Sequence, residues 1–197
     1  MGVIPKAMTS RQSHSAEDRG DDLYETPPEA TLALLRTERL PKVIWEPNAG
    51  RGAIVRVLRN CGHTVLSTDL VNYDSPNVDY TGVDFLRPLT NLPEVDAIVM
   101  NPPFRFAKEC VDRAVSYAPQ VYVLLRLAFL ESEGRHRWFK EKGLCRIHLF
   151  SNRLPMMHRD GWDGPKSTST TPFAWYYFER GFTGNPQLNW IMWQPQK

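Results

Sequence analysis

The chain has 197 residues, enough for one domain, and 42% of them are hydrophobic, enough to build a core. No apolar run approaches the roughly 20 residues of a membrane span, and the N-terminal stretch lacks the apolar segment of a secretory signal, so a cytoplasmic protein is expected. A formal net charge of +2 is too small to announce a polyanionic partner, and three scattered cysteines without zinc-ligand spacing argue against a disulfide framework or a metal site.

Residues 1–22 are polar and charged without periodicity and read as a flexible tail, leaving a single domain over 23–197. Thr26-Pro27-Pro28-Glu29 has the form of a capping box, with Thr26 at the N-cap and proline opening the helix. It predicts a helix through Ala30, Leu32, Leu34 and Leu35 that stops before Pro41. Lys42 to Glu46 is a short apolar run ending on an acid, a buried strand, and the small-residue turn Pro47-Asn48-Ala49-Gly50-Arg51-Gly52 follows it. Ile54, Val55 and Leu58 fall at helical spacing, and Gly62 stands where a C-cap belongs.

His63 to Asp69 predicts a second strand ending on an acid, and Val78 to Phe85 a third. Val95 to Met100 is a fourth, running into Asn101-Pro102-Pro103-Phe104, with a helix from Phe106 to Tyr117 beyond it. Val121–Leu125, Arg146–Phe150 and Phe173–Glu179 are the fifth, sixth and seventh strands, a helix lies at Trp138–Lys142, and Leu188–Trp193 offers a short eighth. The stretch from Ser151 to Pro172 is a long loop rich in Gly, Pro, Ser, Thr and charge. Cys61 and Cys110, in helical patterns, read as small buried hydrophobes. Alternating strands and helices imply an α/β fold with a mostly parallel sheet covered on both faces. Ligands of such sheets bind at the carboxyl ends of the strands, where Glu46, Asp69, Asp84 and Asn101 fall.

The turn after Glu46 lacks the third glycine of a dinucleotide fingerprint, and an acid at its mouth repels phosphate. An acid plus two glycines suits a cationic ligand without phosphates, and S-adenosylmethionine is one. Asp69 stands at the distance from the turn at which an acid accepts from ribose hydroxyls, while Asp84 could accept from an adenine amine with Phe85 beside the ring. Asn101-Pro102-Pro103-Phe104 carries the sharper signal, because consecutive prolines have no N–H to give a sheet ladder. An exocyclic base amine is a poor nucleophile, its lone pair delocalised into the ring. It improves when two acceptors, the Asn101 side-chain oxygen and the Pro102 carbonyl, draw its hydrogens out of the ring plane. Pro103 stiffens that turn, and Phe104 gives a face on which an extruded base can stack.

In this order the motifs resemble those of the amino-methyltransferases, most closely the adenine-N6 DNA methyltransferases. Glu46 to Gly52, including Pro47, Asn48, Gly50 and Gly52, resembles their cofactor turn; Asp69 and Asp84-Phe85 match their ribose and adenine residues; Asn101 to Phe104 matches their Asn/Asp-Pro-Pro-Tyr/Phe tetrapeptide. Tyr24-Glu25-Thr26-Pro27 is similar to the segment that closes over the methionine end of the cofactor. The resemblance covers residues 23–180 and implies a Rossmann-like, seven-stranded, mostly parallel sheet with helices on both faces and its last strand antiparallel. It further implies S-adenosyl-L-methionine as cofactor, direct transfer to nitrogen, and a nucleic-acid substrate with DNA favoured over RNA.

One departure bears on specificity. The gap from Phe85 to Asn101 is too short for a target-recognition domain, so recognition is expected from the Ser151–Pro172 loop or a partner. Arg153, His158, Arg159 and Lys166 are its candidate phosphate contacts and Trp162 its candidate wedge, in a stretch from Arg126 to Lys166 with nine Lys/Arg against five Asp/Glu. RNA base amines and protein glutamine-N5 stay open as substrates of the same chemistry. A non-catalytic cofactor-binding subunit is the reading from another class.

Overall fold

The computed structural model describes residues 25–155 and 171–194, together with the backbone of a two-residue strand near the N-terminus. In chain order come β1 (Lys6–Ala7), α1 (Pro28–Thr37), β2 (Val43–Glu46), α2 (Ala53–Asn60) and β3 (Thr64–Ser67). Next are β4 (Leu89–Thr90), β5 (Ala97–Met100), a 3₁₀ turn (Phe104–Phe106), α3 (Ala107–Tyr117) and β6 (Gln120–Arg126). A second 3₁₀ turn (Leu127–Leu130), α4 (Glu133–Glu141), β7 (Leu144–Phe150), β8 (Phe173–Glu179) and β9 (Gln187–Ile191) complete the order.

Seven strands form one sheet in the order β3-β2-β5-β6-β8-β7-β9. β2 pairs in parallel with β3 and β5, and β5 in parallel with β6. β8, the seventh strand read from the sequence, runs antiparallel to both β6 and β7, and β9 returns parallel to β7. β1 pairs antiparallel with β4 and falls inside the stretch expected to be tail.

Period-2 alternation sends successive side chains to opposite faces of the sheet, and two cores result. Val99, Tyr122, Leu124, Trp175 and Tyr177 join residues of α1 and α2 on one face. Ile98, Met100, Val121, Val123, Tyr176 and Phe178 join residues of α3 and α4 on the other. β6 and β8 are buried along nearly their whole length, as strands covered on both faces must be. Tyr122 and Tyr177 stack at 4.6 Å across the antiparallel pair, and Trp175 Nε1 donates to the Ala30 carbonyl at 2.9 Å, fastening α1 to the sheet.

Three sequence expectations need correction. Residues 78–85 do not form a strand; they meet the end of β3 through an isolated bridge between Thr68 and Tyr80 and a few hydrogen bonds around Ser67 and Asp69, and β9 supplies the seventh strand instead. The cause is Asp79, whose carboxylate accepts from the Ser67 N–H at 2.9 Å and from the Ser67 hydroxyl at 2.8 Å, while Arg59 donates to both its oxygens. A side chain thus takes the place of a neighbouring ladder at that point of the β3 edge. Second, Pro27 is the N-cap of α1 with no side-chain cap bond, so the capping box is not formed; the Thr26 hydroxyl is turned toward Asn101. Third, Cys61 is exposed, whereas Cys110 is buried as expected. Ser67 is fully buried. Asp79→Ala, which leaves its N–H without an acceptor, should therefore lower unfolding free energy by about 1–3 kcal/mol, read as a shifted urea midpoint.

Candidate active site

The parallel registers set the site. Val43 lies opposite Thr64, and Ile44 opposite Ala97. Continued past the strand ends, these registers bring Asn48, Asp69 and Asn101 level, with Glu46 two residues deeper. A cleft with an open mouth lies there. It is lined by Thr26, Glu46, Asn48, Gly50, Asp69, Asn101 and Pro103 among the residues expected from the sequence. Pro27, Pro47, Gly52 and Pro102 are buried and are not part of its lining, Pro27 being the N-cap of α1.

Between β2 and α2 the chain must turn sharply, and it does so through Gly50 (φ 55) and Gly52 (φ 80), in the left-handed region that glycine occupies without a Cβ penalty. A Cβ on Gly52 would also stand 2.5 Å from the Asn77 Cβ. The turn is held by Asp69, whose Oδ2 accepts from the Gly50 N–H at 2.7 Å while Oδ1 accepts from the Val71 N–H at 2.8 Å.

Glu46 is only 2% exposed. The Val55 N–H, in the first turn of α2, hydrogen-bonds its carboxylate, but Oε2 has no hydrogen-bond partner among the described residues. Burial, reinforced by the neighbouring Asp69, pushes the Glu46 carboxyl well above the ordinary carboxylate range. The Asn48 Oδ1 is likewise buried with no hydrogen-bond partner among the described residues. Two backbone amides that a phosphate would seek, Gly50 N–H and Val55 N–H, are thus already committed to carboxylates. What the floor of the cleft offers is acceptors. It calls for a ligand rich in donors or positive charge.

Asn101 sits one residue past β5, and its Nδ2 donates to Thr26 Oγ1 at 3.0 Å. Phe104 is half-buried at the start of the 3₁₀ turn, its ring 5.7 Å from Phe173 and covered by the Arg126 guanidinium at 4.3 Å. Asp84 and Phe85 are not brought to the cleft lining. Asp84 Oδ1 accepts from the Leu86 N–H at 3.0 Å within its own turn, and Phe85 packs edge-on against Trp45 at 5.2 Å in the core. Arg153 is exposed, away from the cleft lining. Tyr24, His158, Arg159, Trp162 and Lys166 lie outside the described residues.

Sequence reasoning missed Leu70, Val71 and Tyr73, which line the cleft beyond Asp69; their position just after a strand-ending acid was the available signal. It also missed the contact of Arg126 with the Phe104 ring. Nothing local marks a β6-terminal arginine as the partner of a ring 22 residues earlier in the chain.

No family model matches the chain, and no curated protein does. Solved structures do. A provisionally named RNA methyltransferase from Pyrococcus horikoshii is similar at 16% identity and TM-score 0.58, covering 81% of this chain and 88% of that one. A provisionally named type I restriction modification subunit from Vibrio vulnificus has 14% identity and TM-score 0.56, over 92% of this chain and 49% of that one. An Agrobacterium tumefaciens protein assigned by prediction as an O-methyltransferase has 15% identity and TM-score 0.55, over 85% and 86%.

The buried acid yields a signed test. Because the folded state holds the Glu46 proton above the ordinary carboxylate value, that group costs stability as pH rises from the unfolded pKa through the folded one. Glu46→Gln should therefore melt close to wild type near pH 4 and progressively above it toward pH 8, in thermal melts across that range. Equal melting temperatures at pH 8 would contradict the buried, unpartnered carboxylate. The chain shares with the three solved structures one fold, a seven-stranded, mostly parallel, Rossmann-like sheet between helices.

Proposed function

We propose that this chain binds S-adenosylmethionine and methylates an exocyclic amine of a nucleic-acid base, adenine N6 in DNA foremost. The observation that carries the reading is the meeting of Asn101 and Pro103, of the Asn-Pro-Pro-Phe tetrapeptide, with Glu46, Asn48 and Asp69 in one cleft. The residues present fit the cofactor. Glu46 Oε2 and Asn48 Oδ1 are buried acceptors awaiting donors, and an ammonium or ribose hydroxyl supplies them. Leu70, Val71 and Tyr73 give the apolar wall that an adenine needs.

When bound, the cofactor supplies an electrophilic methyl group on a sulfonium. The chain's part is to bind, orient and prepare the amine. Asn101 Oδ1 and the Pro102 carbonyl accept its two hydrogens and draw the nitrogen toward a pyramidal shape, freeing its lone pair. The Pro103 carbonyl is taken by the Phe106 N–H at 2.9 Å, so Pro102 is the backbone acceptor offered here. Phe104 provides the stacking face, on which the planar Arg126 cation now lies. Proximity and alignment do the rest without a strong base: the carbon–nitrogen bond would form as the carbon–sulfur bond breaks, leaving a neutral thioether, and the methylated amine would shed its surplus proton to solvent.

Nucleoside mass spectrometry of DNA and RNA incubated with the protein and S-adenosylmethionine tests the reading. N6-methyladenine should appear in DNA and fall about a hundredfold or more in Asn101→Ala. Methylation of RNA alone would move the substrate to RNA base amines. No methylated base in either polymer, with the cofactor bound, would overturn the nucleic-acid reading and point to protein glutamine or to a non-catalytic subunit. In the same protein, Glu46→Gln should weaken S-adenosylmethionine binding by about tenfold, measured by calorimetry, because a charge-assisted contact is lost.

A further inference from the structure

We infer that Thr26 is a positioning residue for Asn101, its hydroxyl fixing which end of the carboxamide the cleft receives; the inference rests on the amine-methylation reading above. Asn101 Nδ2 donates to Thr26 Oγ1 at 3.0 Å, joining positions 75 residues apart. Thr26 is 4% exposed, and both residues line the same cleft.

A carboxamide has two ends of nearly equal shape and opposite hydrogen-bonding character. Only the oxygen end can accept from an amine; the nitrogen end turns donors against donors. The terminal torsion of asparagine is broad, so an unheld Asn101 would present either end. Committing Nδ2 to the Thr26 oxygen selects the other end as the acceptor.

The hydroxyl is in turn held by its surroundings. Thr26 precedes two prolines, Pro27 with φ −61° at the N-cap and Pro28 as the first residue of α1. Trp175 anchors that first turn through the Ala30 carbonyl at 2.9 Å. A threonine just before a helix ordinarily serves the helix by capping its N–H groups, yet α1 has no side-chain cap bond. The hydroxyl is therefore aimed across the fold at Asn101 instead of along its own helix. The same short segment borders the cleft, so setting the catalytic amide and closing one wall of the cleft are a single structural event.

The test reads the amide directly, before any substrate is added. In ¹⁵N-labelled protein the Asn101 side-chain NH₂ signals are assigned by their loss in Asn101→Asp. One proton should exchange slowly with solvent in wild type, exchange about tenfold faster in Thr26→Val, and regain its protection in Thr26→Ser. Single-turnover methylation of adenine-containing DNA, read at saturating S-adenosylmethionine so that any change in cofactor affinity is removed, should then fall about tenfold in Thr26→Val and largely recover in Thr26→Ser. If Thr26→Val lacks a cooperative melt, Thr26→Ala makes the same comparison.

Unchanged Asn101 signals in Thr26→Val would overturn the proposal. So would a loss of cofactor affinity that accounts for the whole loss of rate, since Thr26 would then be a cofactor contact. Faster amide exchange in Thr26→Val alongside a wild type that methylates no nucleic acid would uphold the positioning of Asn101 and count against the base-amine reading alone.

Discussion

The parallel pairing of β2 with a strand on each side is the constraint from which the site follows. In a parallel sheet the carboxyl ends of neighbouring strands open on the same edge, and register decides which residues stand level. With Val43 opposite Thr64 and Ile44 opposite Ala97, the residues just past three strand ends are Asn48, Asp69 and Asn101. A shift of one residue in either pairing would turn side chains to the other face. That register is defended by burial: Ile44, Trp45, Ala97, Ile98, Val99 and Met100 are each at most 1% exposed. Moving any of those strands would take apolar area out of the core at about 25 cal/mol per Å².

The second organising element is α1, which carries one wall of the cleft on its N-terminal side and is fastened to the far half of the sheet. At its C-cap, Glu38 accepts from Arg146 through Nε at 2.6 Å and Nη2 at 3.0 Å, and pairs with the buried His148 at 2.7 Å. Burial alone would push the Glu38 carboxyl up, but the bonds from His148 and Arg146 outweigh it and hold the carboxyl below its ordinary value. A bidentate, partly buried arginine–carboxylate pair fixes geometry more firmly than exposed ion pairs do. Arg36 adds contacts to the carbonyls of Met192 and Trp193, just beyond β9. The strand added at the sheet's far edge and the helix that borders the cleft are thus parts of one clamp, and Thr26 reaches Asn101 from a fixed base.

Much of this was legible because the informative signals are local. A short apolar run ending on an acid marks a strand and its end, and β2 and β3 were found that way, while β5 was read as an apolar run halted by Asn101-Pro102-Pro103. Phe173–Glu179 was readable from aromatic density alone and is β8 to the residue. What escaped depends on partners distant in sequence. Residues 78–85 have the composition of a strand, yet Asp79 engages Arg59 and Ser67, and no window around Asp79 contains them. Thr26 has the form of a cap because its neighbours do; its actual partner is in another motif. Phe85 is adjacent to an acid in the chain but belongs to Trp45 and Tyr117 in space. The start of α4 at Glu133 was missed because Glu133 to Arg137 has little apolar content to set a period.

Charge is distributed along the cleft in a way that gives the proposed reaction its order. The deep end is acidic: Glu46 and Asp69 stand together there, and their mutual repulsion is part of why Glu46 keeps its proton above the ordinary range. A sulfonium with an ammonium head relieves that repulsion, whereas a phosphate would add to it. The turn that follows Asn101 and Pro103 in the chain carries cations instead: Arg126 over the ring of Phe104, and Arg105 over that of Phe106. In the proposed reaction these cations would face the polyanion, while the acidic floor disfavours phosphate and suits a cationic cofactor. The Arg126 guanidinium lies over the Phe104 ring at 4.3 Å, on the face that the proposed reaction assigns to a base. The acidic floor and the cations around Phe104 thus bear on different halves of the proposed reaction, the first on a cationic methyl donor and the second on a phosphate-bearing substrate.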